Sequence, residues 1–198
     1  MLYQLTSNFL KTGEYSLGFN LKRKIYVVVL EFFRLAFMIT PSNFLRVCML
    51  KLAGAKVGPG TYVNSRVRFE FPWRITIGKS SYIGADVYLD CRGGNILIGD
   101  SVDISEGVFI YTLSHDIYSE TFATKGADVN VGSFAWVCAG AKVLPATTMR
   151  NGCVLGANSV LTGTTNEYCL YSGVPAIFVK ELPRNRSSMV RTQIESQS

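Results

Sequence analysis

The sequence predicts an all-β solenoid of about five coils, and three observations carry that prediction. First, aliphatic residues recur every six positions: Val57 and Val63, then Ile77, Ile83 and Leu89, then Ile98, Ile104 and Ile110. The series resumes through Val131, Val137, Val143, Met149, Leu155 and Leu161, and Phe69 fills the slot after Val63. Second, a small or β-branched residue stands four positions after each aliphatic, as at Thr61, Val67, Ser81, Val87, Val102, Val108, Ala135, Ala141, Thr147, Cys153 and Ser159. Third, each break in the period follows the third hexad of a coil. Six steps around a helix turn by about 240°, which scatters such residues around the axis, whereas an even spacing keeps them on one face of a strand. Glycine often follows the aliphatic directly (Gly58, Gly78, Gly84, Gly99, Gly132, Gly156), which reads as a tight bend. Short strands joined by such bends wind into coils that bury one another's inner faces. An ordinary sandwich would show spacings that drift.

The elements follow in order. Residues 1–20 carry no strong periodic signal. Residues 21–52 read as two helices separated by Thr40-Pro41, with Leu21, Ile25, Val28, Phe32, Leu35 and Ile39 at helical spacing and further apolar residues on the other faces. A helix apolar on most sides packs against protein or dips into a membrane interface. Terminal coils need caps, so packing over the open end of the solenoid is the simpler expectation. The helical segment is assigned to 1–54, the solenoid to 55–181, and a flexible tail to 182–198. Within the solenoid the breaks fall between Phe69 and Ile77, Leu89 and Ile98, and Ile110 and Val131, so three insertions emerge at one corner in successive coils. Stacked insertions on one edge mark the binding face of a repeat protein. The longest, loop 111–130, carries the only histidine, His115. Tyr168 to Lys180 reads as a last strand.

Composition narrows the function classes. With 198 residues, 48% of them hydrophobic and 17% charged, the chain is too apolar for disorder and of a length for one domain. Cys48, Cys91, Cys138, Cys153 and Cys169 are odd in number and lack a CxxC pair, so they read as buried thiols in a reducing compartment rather than a disulfide framework or zinc site. The start of the chain lacks the basic and apolar regions of a secretory signal. The run from Ile25 to Thr40 is interrupted by Glu31 and Arg34, ends at Pro41, and is short for a membrane span. The expected location is cytoplasmic, with peripheral contact at the inner face of the membrane through residues 21–52 left open. A formal net charge of +6 suits an anionic cofactor or a membrane surface, and a mean hydropathy of +0.21 leaves apolar surface for a partner, a neighbouring subunit or a bilayer.

Three stretches resemble the hexapeptide-repeat acyltransferases: Ser114-His115-Asp116; Val131 to Val137 with Ala139-Gly140-Ala141; and Leu155 to Val160 with Ser172-Gly173-Val174-Pro175-Ala176. The resemblance covers about residues 55–181 and is nearest to the galactoside and maltose O-acetyltransferase branch, particularly the acetyltransferases of capsular and exopolysaccharide synthesis. It implies a left-handed parallel β-helix, a homotrimer, and acetyl transfer from acetyl-CoA to a sugar hydroxyl, with no metal and no nucleic-acid partner. A zinc hydrase on the same fold needs three histidines, and this chain has one.

The site residues follow from the same resemblance. His115 is the implied general base, a role that an imidazole titrating near neutrality suits. It would take the hydroxyl proton during attack on the thioester and return it to the departing thiolate, so no cysteine is needed as nucleophile. Asp90, in the insertion one coil earlier, is placed at the acceptor. Asp116 joins it there, orients the imidazole, or stabilises its own loop. On the donor side, Ala139 and Ala157 lie where the family runs the pantetheine arm between two subunits, and Trp136 points outward beside them. Lys142, Arg150 and Lys180 are the cations left for the CoA phosphates, because Thr162-Gly163-Thr164 and Ile177 stand where relatives carry basic residues. Pro145-Ala146-Thr147 replaces the usual Pro-Gly-Val. The competing readings are an N-acetyltransferase on an amino sugar, a serine-type O-acetyltransferase, and a non-catalytic binding solenoid.

Overall fold

The computed structural model describes residues 17–184, which divide into two compact units between Phe37 and Met38. Helix α1 spans Leu17–Ile39 and helix α2 spans Asn43–Leu52. The break between them falls at Thr40–Ser42, where Pro41 removes an amide donor and biases Thr40 away from helical geometry. The expectations for residues 1–16 and for the tail beyond Arg184 lie outside the described residues.

Five coils follow. The first is β1 (Lys56–Val57), β2 (Tyr62–Val63) and β3 (Arg68–Glu70); the second is β4 (Ile75–Ile77), β5 (Tyr82–Ile83) and β6 (Tyr88–Asp90). The third is β7 (Ile96–Ile98), β8 (Asp103–Ile104) and β9 (Phe109–Tyr111). After the long insertion, which contains β10 (Leu113–His115) and β11 (Thr124–Gly126), the fourth is β12 (Val129–Val131), β13 (Trp136–Val137) and β14 (Lys142–Val143). The fifth is β15 (Thr148–Met149), β16 (Val154–Leu155) and β17 (Val160–Leu161). Like strands of successive coils pair in parallel, giving three sheets: β1-β4-β7-β12-β15, β2-β5-β8-β13-β16 and β3-β6-β9-β14-β17.

The register is the one the hexads dictate. Val57, Ile77, Ile98, Val131 and Met149 stack as direct partners in the first sheet. Val63, Ile83, Ile104, Val137 and Leu155 do so in the second. Phe69, Leu89, Ile110, Val143 and Leu161 complete the third. These three columns are the core, and all of them are buried. Burying an aliphatic side chain contributes roughly 1.5–3 kcal/mol, so each coil is held by its neighbours rather than by its own short strands.

The glycines after the aliphatics have a different job from the one their positions suggest. The left-handed residues of the bends come two positions later, at Gly60, Ser80, Ser101 and Phe134. Gly78 and Gly132 instead allow coils to approach: a Cβ on Gly78 would lie 2.5 Å from the Gly99 carbonyl, and one on Gly132 would lie 2.6 Å from the Asn151 nitrogen.

Both ends of the stack are built over. Asn43 of α2 donates to the Thr61 carbonyl at 3.1 Å and accepts from the Val63 amide at 2.9 Å. Arg46, buried, donates from Nε to the Val63 carbonyl at 2.8 Å and from Nη1 to the carbonyls of Thr40 and Pro41. At the other end the single strand expected from Tyr168 to Lys180 is a hairpin. Strand β18 (Cys169–Gly173) continues the second sheet beside β16, and β19 (Ala176–Glu181) returns antiparallel to it. The Gly173-Val174-Pro175-Ala176 stretch is its turn.

Candidate active site

All three insertions leave the corner between the third and first sheets, as residues 71–74, 91–95 and 112–128. The longest is not an irregular loop. Its strands β10 and β11 pair antiparallel, with Leu113 opposite Gly126, Ser114 opposite Lys125 and His115 opposite Thr124. The second insertion anchors its base. Thr112 donates from its hydroxyl to the Asp90 carbonyl at 2.6 Å and accepts the amides of Gly93 and Gly94, each at 3.0 Å. Gly126 packs on Gly93 so closely that a Cβ would stand 2.7 Å from the Gly93 Cα.

His115 sits exposed at the far end of β10. Its Nδ1 lies 2.6 Å from the Phe122 carbonyl oxygen. A carbonyl only accepts, so Nδ1 is the donor in this contact, and in the neutral ring the lone pair is then on Nε2. Asp116 takes the loop-stabilising place: its Oδ1 accepts the Tyr118 amide at 3.0 Å, and its own amide donates to the Ala123 carbonyl. The orienting partner of the imidazole is a backbone carbonyl, which no side-chain motif announces.

Asp90 ends β6 at the same corner with its side chain buried. Arg92 clamps it, with Nε 2.9 Å from Oδ1 and Nη2 2.6 Å from Oδ2, and the Arg92 amide also donates to Oδ1 at 3.1 Å. The carboxylate raises the Arg92 guanidinium above its ordinary value through that bonding, despite the opposing effect of partial burial. The group presented at the surface is therefore the half-exposed Arg92, with Asp90 behind it. Sequence reasoning passed over Arg92; its two-residue offset from Asp90 inside a short insertion was the available signal.

The residues expected on the donor side occupy other edges of the prism. Trp136 projects outward from β13, 46% exposed, with its indole N–H on the Ser105 hydroxyl at 2.9 Å. Ser105 in turn donates to Asp103 Oδ1 at 3.1 Å. Burial pushes the Asp103 carboxyl up, Ser105 works against that shift, and Glu106 adds to it. Ala139 and Ala157 are exposed at the bend from second to third sheet in consecutive coils, where the Asn158 amide donates to the Ala139 carbonyl at 3.0 Å. Lys142 lies on the outer face of the third sheet, its ammonium 5.9 Å from the Phe109 ring centre. Lys180 is on β19 opposite Leu170. Arg150 lines an open groove of about 490 Å³ along the first sheet, with Asn130, Ser133, Asn151 and Glu167. Asp90, Asp116 and His115 thus share one corner, while Ala139 and Ala157 share another.

All five cysteines are free thiols. Burial pushes Cys153 up to about 11, and it raises Cys91 and Cys138 as well, so these sulfurs stay protonated near neutrality and are poor nucleophiles. Among the described residues no group of three His, Cys, Asp or Glu side chains could hold a metal ion.

No protein-family model matches the chain. It is 31% identical over 136 residues to a protein of Escherichia coli K12 named as a colanic acid biosynthesis acetyltransferase, WcaF, covering 69% of this chain and 74% of that one. It is 29% identical over 120 residues to another protein of that strain, named as a lipopolysaccharide biosynthesis O-acetyl transferase, WbbJ, covering 60% of this chain and 56% of that one. Among solved structures, a hexapeptide-repeat acetyltransferase of Vibrio cholerae O1 complexed with acetyl-CoA superposes with a TM-score of 0.76 at 21% identity, covering 90% of this chain and 98% of that one. A parallel β-helix of five coils and an acetyltransferase relative of this extent define the class. The chain belongs to the hexapeptide-repeat acetyltransferases, and its relatives are tied to polysaccharide biosynthesis.

Proposed function

We propose that this acetyltransferase moves the acetyl group of acetyl-CoA to a sugar hydroxyl during assembly of a surface polysaccharide, with His115 as general base. The observation that carries the reading is the hydrogen bond from His115 Nδ1 to the Phe122 carbonyl, which leaves Nε2 free to accept a proton. As the sugar oxygen attacks the thioester carbonyl, Nε2 takes its proton. The tetrahedral intermediate then collapses, the carbon–sulfur bond breaks, and the imidazolium returns the proton to the CoA thiolate. The products are an acetyl ester and CoA, with no covalent enzyme intermediate and no oxidation or reduction. Arg92, braced by Asp90, supplies hydrogen-bond donors to the acceptor at the same corner. Ala139 and Ala157, with Trp136 beside them, leave backbone accessible for the pantetheine arm, and Lys142, Lys180 and Arg150 are the cations available to its phosphates.

The separation of these sets over two edges of one prism supports a homotrimer in which each site is completed by a neighbouring copy. A cytoplasmic site of reaction belongs to the same reading, since acetyl-CoA is its donor.

The test is His115→Ala. It should fold, keep a CoA-dependent thermal shift, and lose turnover by at least about 100-fold, the range general base catalysis contributes. Wild-type turnover in that variant would sink the mechanism. Mass spectrometry of the acceptor glycan should show a single added acetyl that mild alkali removes. An alkali-stable acetyl would assign amide formation on an amino sugar instead.

A further inference from the structure

Among the described side chains of helix α1 there are two apolar faces, and one of them is covered. Leu30, Phe33 and Phe37 lie along one side and are partly or fully buried. Ile25, Val28, Val29, Phe32, Leu35 and Ile39 lie along another, each more than half exposed, with Phe32 at 69%. At 100° per residue these six side chains fall within an arc of about 120°, a stripe about 21 Å long. The charges of the helix are as uneven as its apolar surface. Lys22, Arg23 and Lys24 fill the turn before Ile25, and the only carboxylate, Glu31, is already bound by Arg34 at 2.6 Å. No helix among the described residues is long and apolar enough to cross a membrane.

We propose that α1 lies flat in the headgroup layer of an anionic phospholipid bilayer, with the Ile25–Ile39 stripe among the acyl chains and the Lys22-Arg23-Lys24 run against the phosphates. A bare apolar stripe with a cluster of cations at one end is the pattern of an interfacial helix, in which buried area and attraction to anionic lipid act together. The helix carries four cations and one carboxylate, so a second copy of the same segment would set positive charge against positive charge. The surface of a bilayer offers a layer of anions.

Flotation of the full chain with lipid vesicles tests this without donor or acceptor, so its outcome is independent of acetyl transfer. The chain should float with phosphatidylcholine vesicles containing about 30% phosphatidylglycerol, and several-fold less with phosphatidylcholine alone. Val29→Glu combined with Phe32→Glu should lower binding by about tenfold or more while the CoA-dependent thermal shift and the sedimenting mass stay unchanged. Lys22→Glu, Arg23→Glu and Lys24→Glu together should abolish the preference for anionic lipid. The proposal is overturned if the wild-type chain does not float, or if either variant floats as the wild type does. A changed sedimenting mass in the Val29→Glu/Phe32→Glu variant would also overturn it, by making the stripe a contact between copies.

Discussion

His115 is oriented from across its own hairpin by the Phe122 carbonyl, so Asp116 can be spent on the loop turn. The histidine was legible in the sequence because one imidazole in a Ser-His-Asp context stands out. Its partner was not, since a backbone carbonyl carries no residue code and depends on how the hairpin closes. Arg92 was hidden for another reason: an arginine in an insertion reads as a solvated charge until a buried carboxylate is found behind it. Asp103 offers a test at this scale. Its carboxyl is raised in the folded state, so the stability it contributes is present below the unfolded value of about 3.9 and is lost as pH rises through the folded value. Asp103→Asn keeps an acceptor for Ser105 and removes the charge. Calorimetry should find the variant with a higher Tm than wild type at pH 7 and a difference that shrinks toward zero below about pH 4.

At the scale of elements, the hexads fixed coil register in advance because a one-residue slip would turn every aliphatic outward. The hairpin of β10 and β11 escaped the same reading. Thr124, Lys125 and Gly126 are all exposed and show no alternation, so nothing in their hydrophobicity distinguishes a strand from a loop. The C-terminal hairpin looks like one strand in the sequence because its outer strand, Ala176–Glu181, is exposed at five of six positions and follows no hexad. Helix α2 was legible as a helix, but its capping chemistry was not: Arg46 looks like a surface cation and is instead buried on three carbonyls. Arg46→Ala would leave those oxygens without their donor, and should cost about 3 kcal/mol of unfolding free energy. A denaturation midpoint within experimental error of wild type would refute that role.

At the scale of the whole molecule, one chain holds its histidine corner and its alanine bend on different edges, which makes a strong prediction about mixtures. His115→Ala and Ala157→Trp should each be inactive alone. Under the homotrimer proposed above, random assembly from equal amounts of the two should recover about a quarter of wild-type turnover, because a site shared by adjacent copies draws one good half from each. No recovery would mean that each chain builds its own site. The two ends of the solenoid have a consequence of a different kind. Parallel rungs of short strands are the same ladder that, left open, templates cross-β fibres by adding further molecules end to end. Asn43 and Arg46 occupy carbonyls of the first coil, and at the far end β19 runs against the grain of the second sheet. Those few side chains and one reversed strand keep a self-propagating architecture finite, so the protein stops growing where its coils stop.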